Sequence, residues 1–184
     1  MKHKIYLQIL GLVNKSNVVE LKKNLELTFK RFKIKFKICS NDLLLYQYEY
    51  DSAKDQFDGV LILQRLMKQA ERKKHFRILG IIDRDIYFES YKFNFGVAKR
   101  PRVALISIYR LKEKLYGREK NPALFEKRIL TESVHELGHT FGLDHCEYDC
   151  VMQFSDWITP VDKKPPNFCD KCMRKLEDVF LSLD

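Results

Sequence analysis

The sequence predicts an α/β fold in which a mixed sheet is backed by helices, and two observations support this prediction. Short apolar runs alternate with segments of helical periodicity over the first 120 residues, an order that favours a sheet with helices packed on it. The chain has 184 residues, of which 45% are hydrophobic and 12% aromatic. That is enough to bury one core and short for two, so we expect a single domain over residues 1–184.

The first part of the pattern predicts two strands with a helix between them. Residues 5–12 are nearly all apolar, as in a buried strand. Residues 17–31 are expected to form a helix that packs on the sheet, because apolar side chains recur at helical spacing, at Val18, Leu21, Leu25 and Phe29. In residues 33–39 lysines alternate with apolar side chains. This alternation predicts a strand with one wet face, at a sheet edge that the lysines protect from aggregation.

The next part predicts a second helix and two more strands. Residues 54–72 carry apolar side chains at helical spacing, at Phe57, Val60, Leu61, Leu63, Leu66 and Met67. Residues 76–82 and 103–109 are apolar runs of strand length. The first of them ends at a polar turn, Asp83-Arg84-Asp85.

Two further helices are predicted in the last third of the chain. Asn121 can cap a helix, and Pro122 suits its first position, where no amide donor is needed. The core face of this helix is expected to carry Ile129, Leu130, Val134 and Leu137. A final helix over residues 169–183 is expected to bury Leu176, Val179 and Phe180. Residues 160–166, which contain several prolines, are the segment most like a linker.

Residues 135–145 contain three histidines and a glutamate at the spacing of a hydrolytic zinc site. On a helix, His135 and His139 lie one turn apart and can bind one ion. Gly142 suits the left-handed conformation that ends a helix, which would bring His145 back as a third ligand. Three imidazoles leave a fourth zinc position for water, as in catalytic sites, and Glu136 can reach that water. The alternative is a surface helix with solvated histidines.

Four cysteines form a second metal-binding pattern immediately after the first. The pairs Cys146 with Cys150 and Cys169 with Cys172 have the spacing of a structural zinc site with four thiolates. The alternative is two disulfides, which would require an oxidising compartment. The fifth cysteine, Cys39, is expected to be an ordinary reduced thiol. We therefore expect two zinc ions per chain, one catalytic and one structural.

The N-terminal sequence argues against secretion and hence against the disulfides. Basic residues precede an apolar stretch, as in a signal peptide, but Gln8 interrupts that stretch and residues 14–16 offer no small-x-small cleavage site. No apolar run approaches the ~20 residues that span a bilayer. We therefore expect a cytoplasmic protein with no membrane anchor.

The net charge of +9 is compatible with an acidic partner, including nucleic acid. However, lysine and arginine are spread along the whole chain rather than clustered, which favours a solvated surface. We therefore expect no nucleic-acid partner, and we expect the protein to be a monomer that acts on peptides or proteins.

The segment 135–172 resembles the archaemetzincins, a family of metzincin zinc metalloproteases that combine the elongated zinc motif with four cysteines. Residues 150–155 resemble the Met-turn of that family, and Met152 corresponds to the methionine that packs beneath the catalytic zinc. The resemblance implies a metzincin-like domain, with a sheet-and-helix upper part over residues 1–120 and a lower part over residues 121–184. One departure is visible, since the family usually has four residues between its first two cysteines and this chain has three.

The resemblance also suggests where a substrate would bind. In metzincins the segment after the Met-turn forms the wall of a specificity pocket, which makes Trp157 a candidate; simple packing is its alternative role. Residues 93–98 resemble an antiparallel edge strand along which an extended peptide pairs, so Phe95 and Gly96 are candidate contacts, unless the segment is an ordinary loop or strand. Phe154 occupies the position of a tyrosine found in some metzincins and has no hydroxyl group. Tyr109 and Tyr148 are alternatives, with packing as their simpler role.

The sequence therefore predicts a zinc metallopeptidase that hydrolyses peptide bonds with a zinc-activated water and with Glu136 as general base. The alternative is a zinc-stabilised basic binding module for nucleic acid or a protein partner, with little or no proteolysis. Glu136 favours the enzyme, because a purely structural metal site has no use for a base there.

Overall fold

The computed structural model describes residues 3–89 and 91–183 and contains a five-stranded mixed sheet. The sheet confirms the predicted fold class. Its strand order is β2-β1-β5-β8-β7, with β7 antiparallel to β8 and the other pairs parallel. These strands are β1 (Lys4–Leu10), β2 (Lys35–Ile38), β5 (Arg77–Ile82), β7 (Gly96–Lys99) and β8 (Val103–Ser107).

A second, smaller sheet has three very short strands in the order β3-β4-β6. The helix predicted over residues 54–72 is therefore wrong at its start, because residues 56–58 pair in this sheet. Asp58 then caps the helix, its side chain accepting hydrogen bonds from the backbone N–H groups of Val60 and Leu61. The strands are β3 (Tyr50–Asp51), β4 (Gln56–Asp58) and β6 (Ile86–Tyr87).

Five α-helices lie within the described residues. They are α1 (Lys15–Thr28), α2 (Gly59–Arg72), α3 (Pro122–Thr140), α4 (Ile158–Lys163) and α5 (Asp170–Leu183). The caps of α3 are as predicted, since the Asn121 side chain accepts a hydrogen bond from the Leu124 N–H and Pro122 begins the helix. None of the helices in the described residues combines the length and apolar character needed to cross a membrane.

Helices cover both faces of the large sheet, because successive side chains of a strand point to opposite faces. In β5, Leu79 and Ile81 belong to the core cluster that contains the buried side chains of α1, α3 and α5. Ile78 and Ile82 belong to a second cluster, with the buried side chains of α2. Burial on both faces explains why this strand has no polar alternation.

The two edges of the sheet agree with the sequence patterns. At one edge, β2 exposes Lys35 and Lys37 and buries Phe36, as the alternation predicts. At the other edge, β7 is the antiparallel strand expected near residues 93–98. The first strand ends at Leu10 rather than residue 12, because Gly11 has a φ of +66° and turns the chain.

The segment predicted as a linker is instead packed against α3. Residues 160–166 overlap α4, in which Val161 is fully buried. Two ion pairs join this segment to α3: Asp162 accepts a hydrogen bond of 2.6 Å from the buried Arg128, and the Lys164 ammonium lies 3.0 Å from Glu132. Residues 160–166 are therefore not a linker, because this proline-containing segment buries Val161 and Lys164 against the rest of the molecule.

Candidate metal centre and active site

The three histidines of the predicted zinc site meet at the end of α3. His135 and His139 lie one turn apart, and their Nε2 atoms are 3.1 Å from each other. The chain reverses at Gly142, whose φ of +91° is in the left-handed region. This reversal brings His145 back, so that one ring nitrogen from each histidine lies within 4.8 Å of the other two.

The hydrogen bonds of His135 and His139 test whether these residues fit a metal ion. The Nδ1 atom of each lies 2.8 Å from a backbone carbonyl, that of Val151 for His135 and that of Leu143 for His139. A carbonyl only accepts, so each Nδ1 carries the proton and each Nε2 presents a lone pair. Two lone pairs that face each other at 3.1 Å need a cation between them, so the arrangement fits a metal site.

The electrostatic environment keeps these histidines neutral. Burial lowers the pKa of His135 well below its ordinary value of 6.5, and the Lys164 ammonium lowers it further. Burial also lowers the pKa of His139 and of His145. Neutral imidazoles are the form that binds metal.

Glu136 lies beside the histidines and is enclosed by protein. Burial raises the pKa of its carboxyl group well above the ordinary value of 4.5, and the nearby Glu132 carboxylate raises it further. Gly96 of β7 approaches the Glu136 side chain so closely that a Cβ at Gly96 would lie 2.5 Å from Glu136 Cγ. The edge strand and the Glu136 side chain are therefore in direct contact.

The four cysteines also converge, with their Sγ atoms within 4.8 Å of one another. All four are free thiols, and Cys146 Sγ lies 3.8 Å from Cys169 Sγ. The Sγ of Cys150 accepts backbone N–H hydrogen bonds from Cys169 at 3.3 Å and from Met152 at 3.5 Å. Such donors stabilise a thiolate, so the cluster fits a cation, and the three-residue spacing between the first two cysteines does not prevent their convergence.

Met152 packs directly against α3 at Gly138, between His135 and His139 in the chain. Its side chain is fully buried, and a Cβ added at Gly138 would lie 2.4 Å from its Sδ. The backbone N–H of Cys146 donates to the Met152 carbonyl at 2.9 Å. The neighbouring Val151 carbonyl is the hydrogen-bond partner of His135. Residues 151 and 152 therefore contact both the His135 ring and the backbone of α3 at Gly138.

A cleft of about 580 Å³ lies over the histidines. Its lining includes His135, Glu136, His139 and His145 together with the predicted substrate contacts Phe95, Gly96 and Trp157. The half-exposed Trp157 ring lies between those of Phe93 and Tyr116, at centroid distances of 5.7 and 5.9 Å.

Neither candidate tyrosine lies in this cleft. Tyr109 lines a different cavity, and Tyr148 is exposed near Lys171. Phe154 does line the cleft, and its ring centroid is 5.1 Å from that of His145.

Sequence reasoning missed two cleft residues, Glu132 and Lys164. Both are buried, at 3% and 1% relative exposure. Glu132 lies one turn before Glu136 on α3, and that spacing was a usable signal. Lys164 belongs to a Lys-Lys-Pro-Pro run that resembles solvated surface, so no local signal identified it.

Comparisons with known proteins agree with this geometry. A family model described as peptidase family M54 matches residues 16–178. The archaemetzincin of Methanocaldococcus jannaschii is 36% identical over 184 residues, which cover 98% of this chain and 97% of the relative. The archaemetzincin of Nanoarchaeum equitans is 40% identical over 141 residues, or 77% and 74% of the two chains.

Solved structures give the same result for the fold. The archaemetzincin of Archaeoglobus fulgidus, complexed with malonate, has a TM-score of 0.80 and 32% identity, and the match covers 94% of this chain and 99% of that one. The archaemetzincin of Methanopyrus kandleri has a TM-score of 0.80 and 30% identity, with 97% and 96% covered.

Proposed function

We propose, from the premise that this chain belongs to peptidase family M54 and is a zinc metallopeptidase, that His135, His139 and His145 hold its catalytic zinc and that Glu136 is its general base. The observation that carries the proposal is the pair of facing Nε2 lone pairs with a buried carboxyl group beside them. A zinc-stabilised binding module would need only the metal ligands. Glu136 adds a group that can accept and donate a proton, which peptide hydrolysis needs.

The residues of the site divide the reaction between them. When zinc is bound, it supplies a Lewis acid that acidifies water and polarises the scissile carbonyl. Glu136 accepts a proton from the attacking water, whose oxygen bonds to the carbonyl carbon. Glu136 then gives that proton to the amine nitrogen as the C–N bond breaks. Because the carboxyl group is enclosed, bulk water does not compete for the proton.

The substrate is proposed to lie along β7. This strand has one neighbour, β8, in the sheet, so its other side can pair with an extended peptide. Phe95 and Gly96 line the cleft beside Glu136, and Trp157 forms a wall after the Met-turn. The cleft thus lies between the sheet-and-helix part, residues 1–120, and the part that carries the metal ligands, residues 121–184, which supports treating both as one catalytic domain.

A second zinc is proposed at Cys146, Cys150, Cys169 and Cys172, in a structural role. Four convergent thiols close the coordination shell and leave no position for substrate. Free thiols are maintained in a reducing compartment, which supports the cytoplasm as the location of the protein. We further propose that the protein acts as a monomer and without nucleic acid.

The test combines metal analysis with turnover of a mixed peptide library. The expected result is two zinc ions per fully loaded chain, and hydrolysis that is lost on mild chelation and restored by zinc. Finding metal but no hydrolysis of any peptide, together with salt-dependent binding of nucleic acid, would support a zinc-stabilised binding module instead.

A further inference from the structure

The cleft is lined by a buried cation that has no part in the reaction steps proposed for zinc and Glu136. Lys164 is 1% exposed and lines the cleft with His135, Glu136 and His145. Its ammonium lies 3.0 Å from Glu132 Oε1 and donates to the Gln153 carbonyl at 3.3 Å. An ammonium has three N–H donors, so these two partners within the described residues leave one donor available.

Burying the Lys164 charge costs free energy of folding, so we expect this residue to have a function beyond packing. Taking an ion pair out of water is costly, and a pair of hydrophobic residues of similar volume is often as stabilising or more so. Nearby, Arg128 and Asp162 already join the same segment to α3. Attachment of the segment therefore does not by itself require Lys164.

Peptide hydrolysis passes through a negatively charged state that a nearby cation stabilises. As the water oxygen bonds to the carbonyl carbon, negative charge develops on the carbonyl oxygen, and fixed positive groups in an enclosed site stabilise such charge. Phe154 has no hydroxyl group to offer. Two other cations line the cleft, but Lys92 is exposed and Arg100 is bound to Asp144 at 2.7 Å.

We propose that Lys164 is the fixed cation that, with the metal, stabilises the charge on the scissile carbonyl oxygen. The proposal rests on the proposed peptidase function. Glu132 and the Gln153 carbonyl hold the ammonium at the cleft lining. Lys164 neither gives nor takes a proton in this role.

The test compares Lys164→Met with the double variant Glu132→Gln/Lys164→Met. The double variant replaces the ion pair by neutral groups of similar size and so leaves no unpaired charge. Lys112→Met is the matched control, because Lys112 is also paired, with Asp83, but lies outside the cleft lining. Zinc content and the unfolding transition are measured for each variant, so that only folded, equally loaded proteins are compared.

Two readouts separate a charge effect from a structural one. The first is kcat against KM, and we expect kcat to fall by about 10²-fold in both Lys164 variants with KM little changed. The second is equilibrium binding of a phosphinic peptide, which carries a tetrahedral anion, against a hydroxyethylene peptide of the same sequence, which is tetrahedral but neutral. The phosphinic peptide should lose affinity by about 10-fold or more, while the neutral peptide should not.

The outcomes distinguish this proposal from the proposed function. An unchanged kcat in the folded double variant would overturn the role of Lys164 and leave the peptidase intact. Equal weakening of both peptides would make Lys164 a structural brace only, which also overturns it. A wild-type protein that neither hydrolyses nor binds any peptide would instead overturn the peptidase function, and the role of Lys164 with it.

Discussion

Glu136 is the residue whose surroundings most affect the behaviour of the site. Its carboxyl group is buried next to a second carboxylate, and both features raise its pKa. A carboxyl group with a raised pKa in the folded chain contributes stability below its ordinary pKa, and that contribution is lost as pH rises through the folded value. The metal-free site is therefore a source of instability at neutral pH.

This linkage predicts a difference between wild type and Glu136→Gln. After mild chelation, the variant should become progressively more stable than wild type as pH rises above 4.5, the ordinary value, because only in wild type does unfolding release a carboxyl group that ionises more readily than in the folded chain. Urea unfolding at several pH values measures the difference in the free energy of unfolding. Parallel pH profiles for the two proteins would show that Glu136 is not held in its neutral form.

Gly96 gives a second prediction for the same carboxyl group. A Cβ there would lie 2.7 Å from Glu136 Oε1, so the carboxyl group would have to shift from its position. We expect Gly96→Ala to lower kcat by up to about 10²-fold, the effect of a misplacement of about 1 Å, with zinc content unchanged. Lys99→Ala, on the same strand and exposed, is the control. A kcat equal to that of wild type would mean that the contact does not position Glu136.

For individual residues, the sequence predicts which side chains form a site when those residues lie close together in the chain. Helical spacing and one glycine place His135, His139 and His145 together, and short spacings define each cysteine pair. Lys164 was not predictable, because its partner Glu132 belongs to a different element and its role depends on burial that appears only after folding.

The helix α3 is the element on which the site is built. Gly138 lies between His135 and His139 in the chain, and its missing side chain lets Met152 pack against the helix. Without that close contact, the turn that carries the Val151 carbonyl could not reach His135.

The prediction for this contact is a loss of stability in Gly138→Ala. Alanine in a helix interior gains about 1 kcal/mol over glycine, whereas overpacking a well-packed core costs about 1–3 kcal/mol. The Cβ would lie 2.4 Å from Met152 Sδ and 3.2 Å from Phe168, so the packing cost should exceed the gain. Urea unfolding of the zinc-loaded protein tests this, and a variant more stable than wild type would show that Met152 can move aside.

Element length decides what could be predicted about the secondary structure. The long apolar strands and α1, α3 and α5 follow from periodicity and caps. The strands β3, β4 and β6 have only two or three residues each, too few for a period of two to be recognised. Their pairing displaced the start of α2, which a helical pattern alone extended back to residue 54.

In the whole molecule, very short segments connect the histidine cluster to the cysteine cluster. His145 and Cys146 are consecutive, and consecutive Cα atoms are about 3.8 Å apart. The Cys146 N–H also bonds to the Met152 carbonyl. The cysteine cluster therefore holds both a ligand of the proposed catalytic zinc and the residue packed beneath it.

This connection predicts that Cys172→Ser weakens zinc binding at the histidines. Loss of outer groups that orient metal ligands typically costs about 10- to 100-fold in affinity, and we expect that range here. Zinc titration measures it, with the unfolding transition followed in parallel. Cys39→Ser is the matched control, because Cys39 lies outside the cluster. Unchanged affinity in a folded Cys172→Ser protein that has lost its structural zinc would show that the sites are independent.

We propose that this chain hydrolyses peptides with Glu136 as the base, and replacing that carboxyl group by an amide separates the base from the metal ligands. Peptide hydrolysis is measured for wild type and Glu136→Gln at equal zinc content. We predict a loss of about 10²- to 10⁴-fold in rate, the contribution of a positioned base, while zinc remains bound because no ligand is removed. Hydrolysis by Glu136→Gln at the wild-type rate would contradict the account.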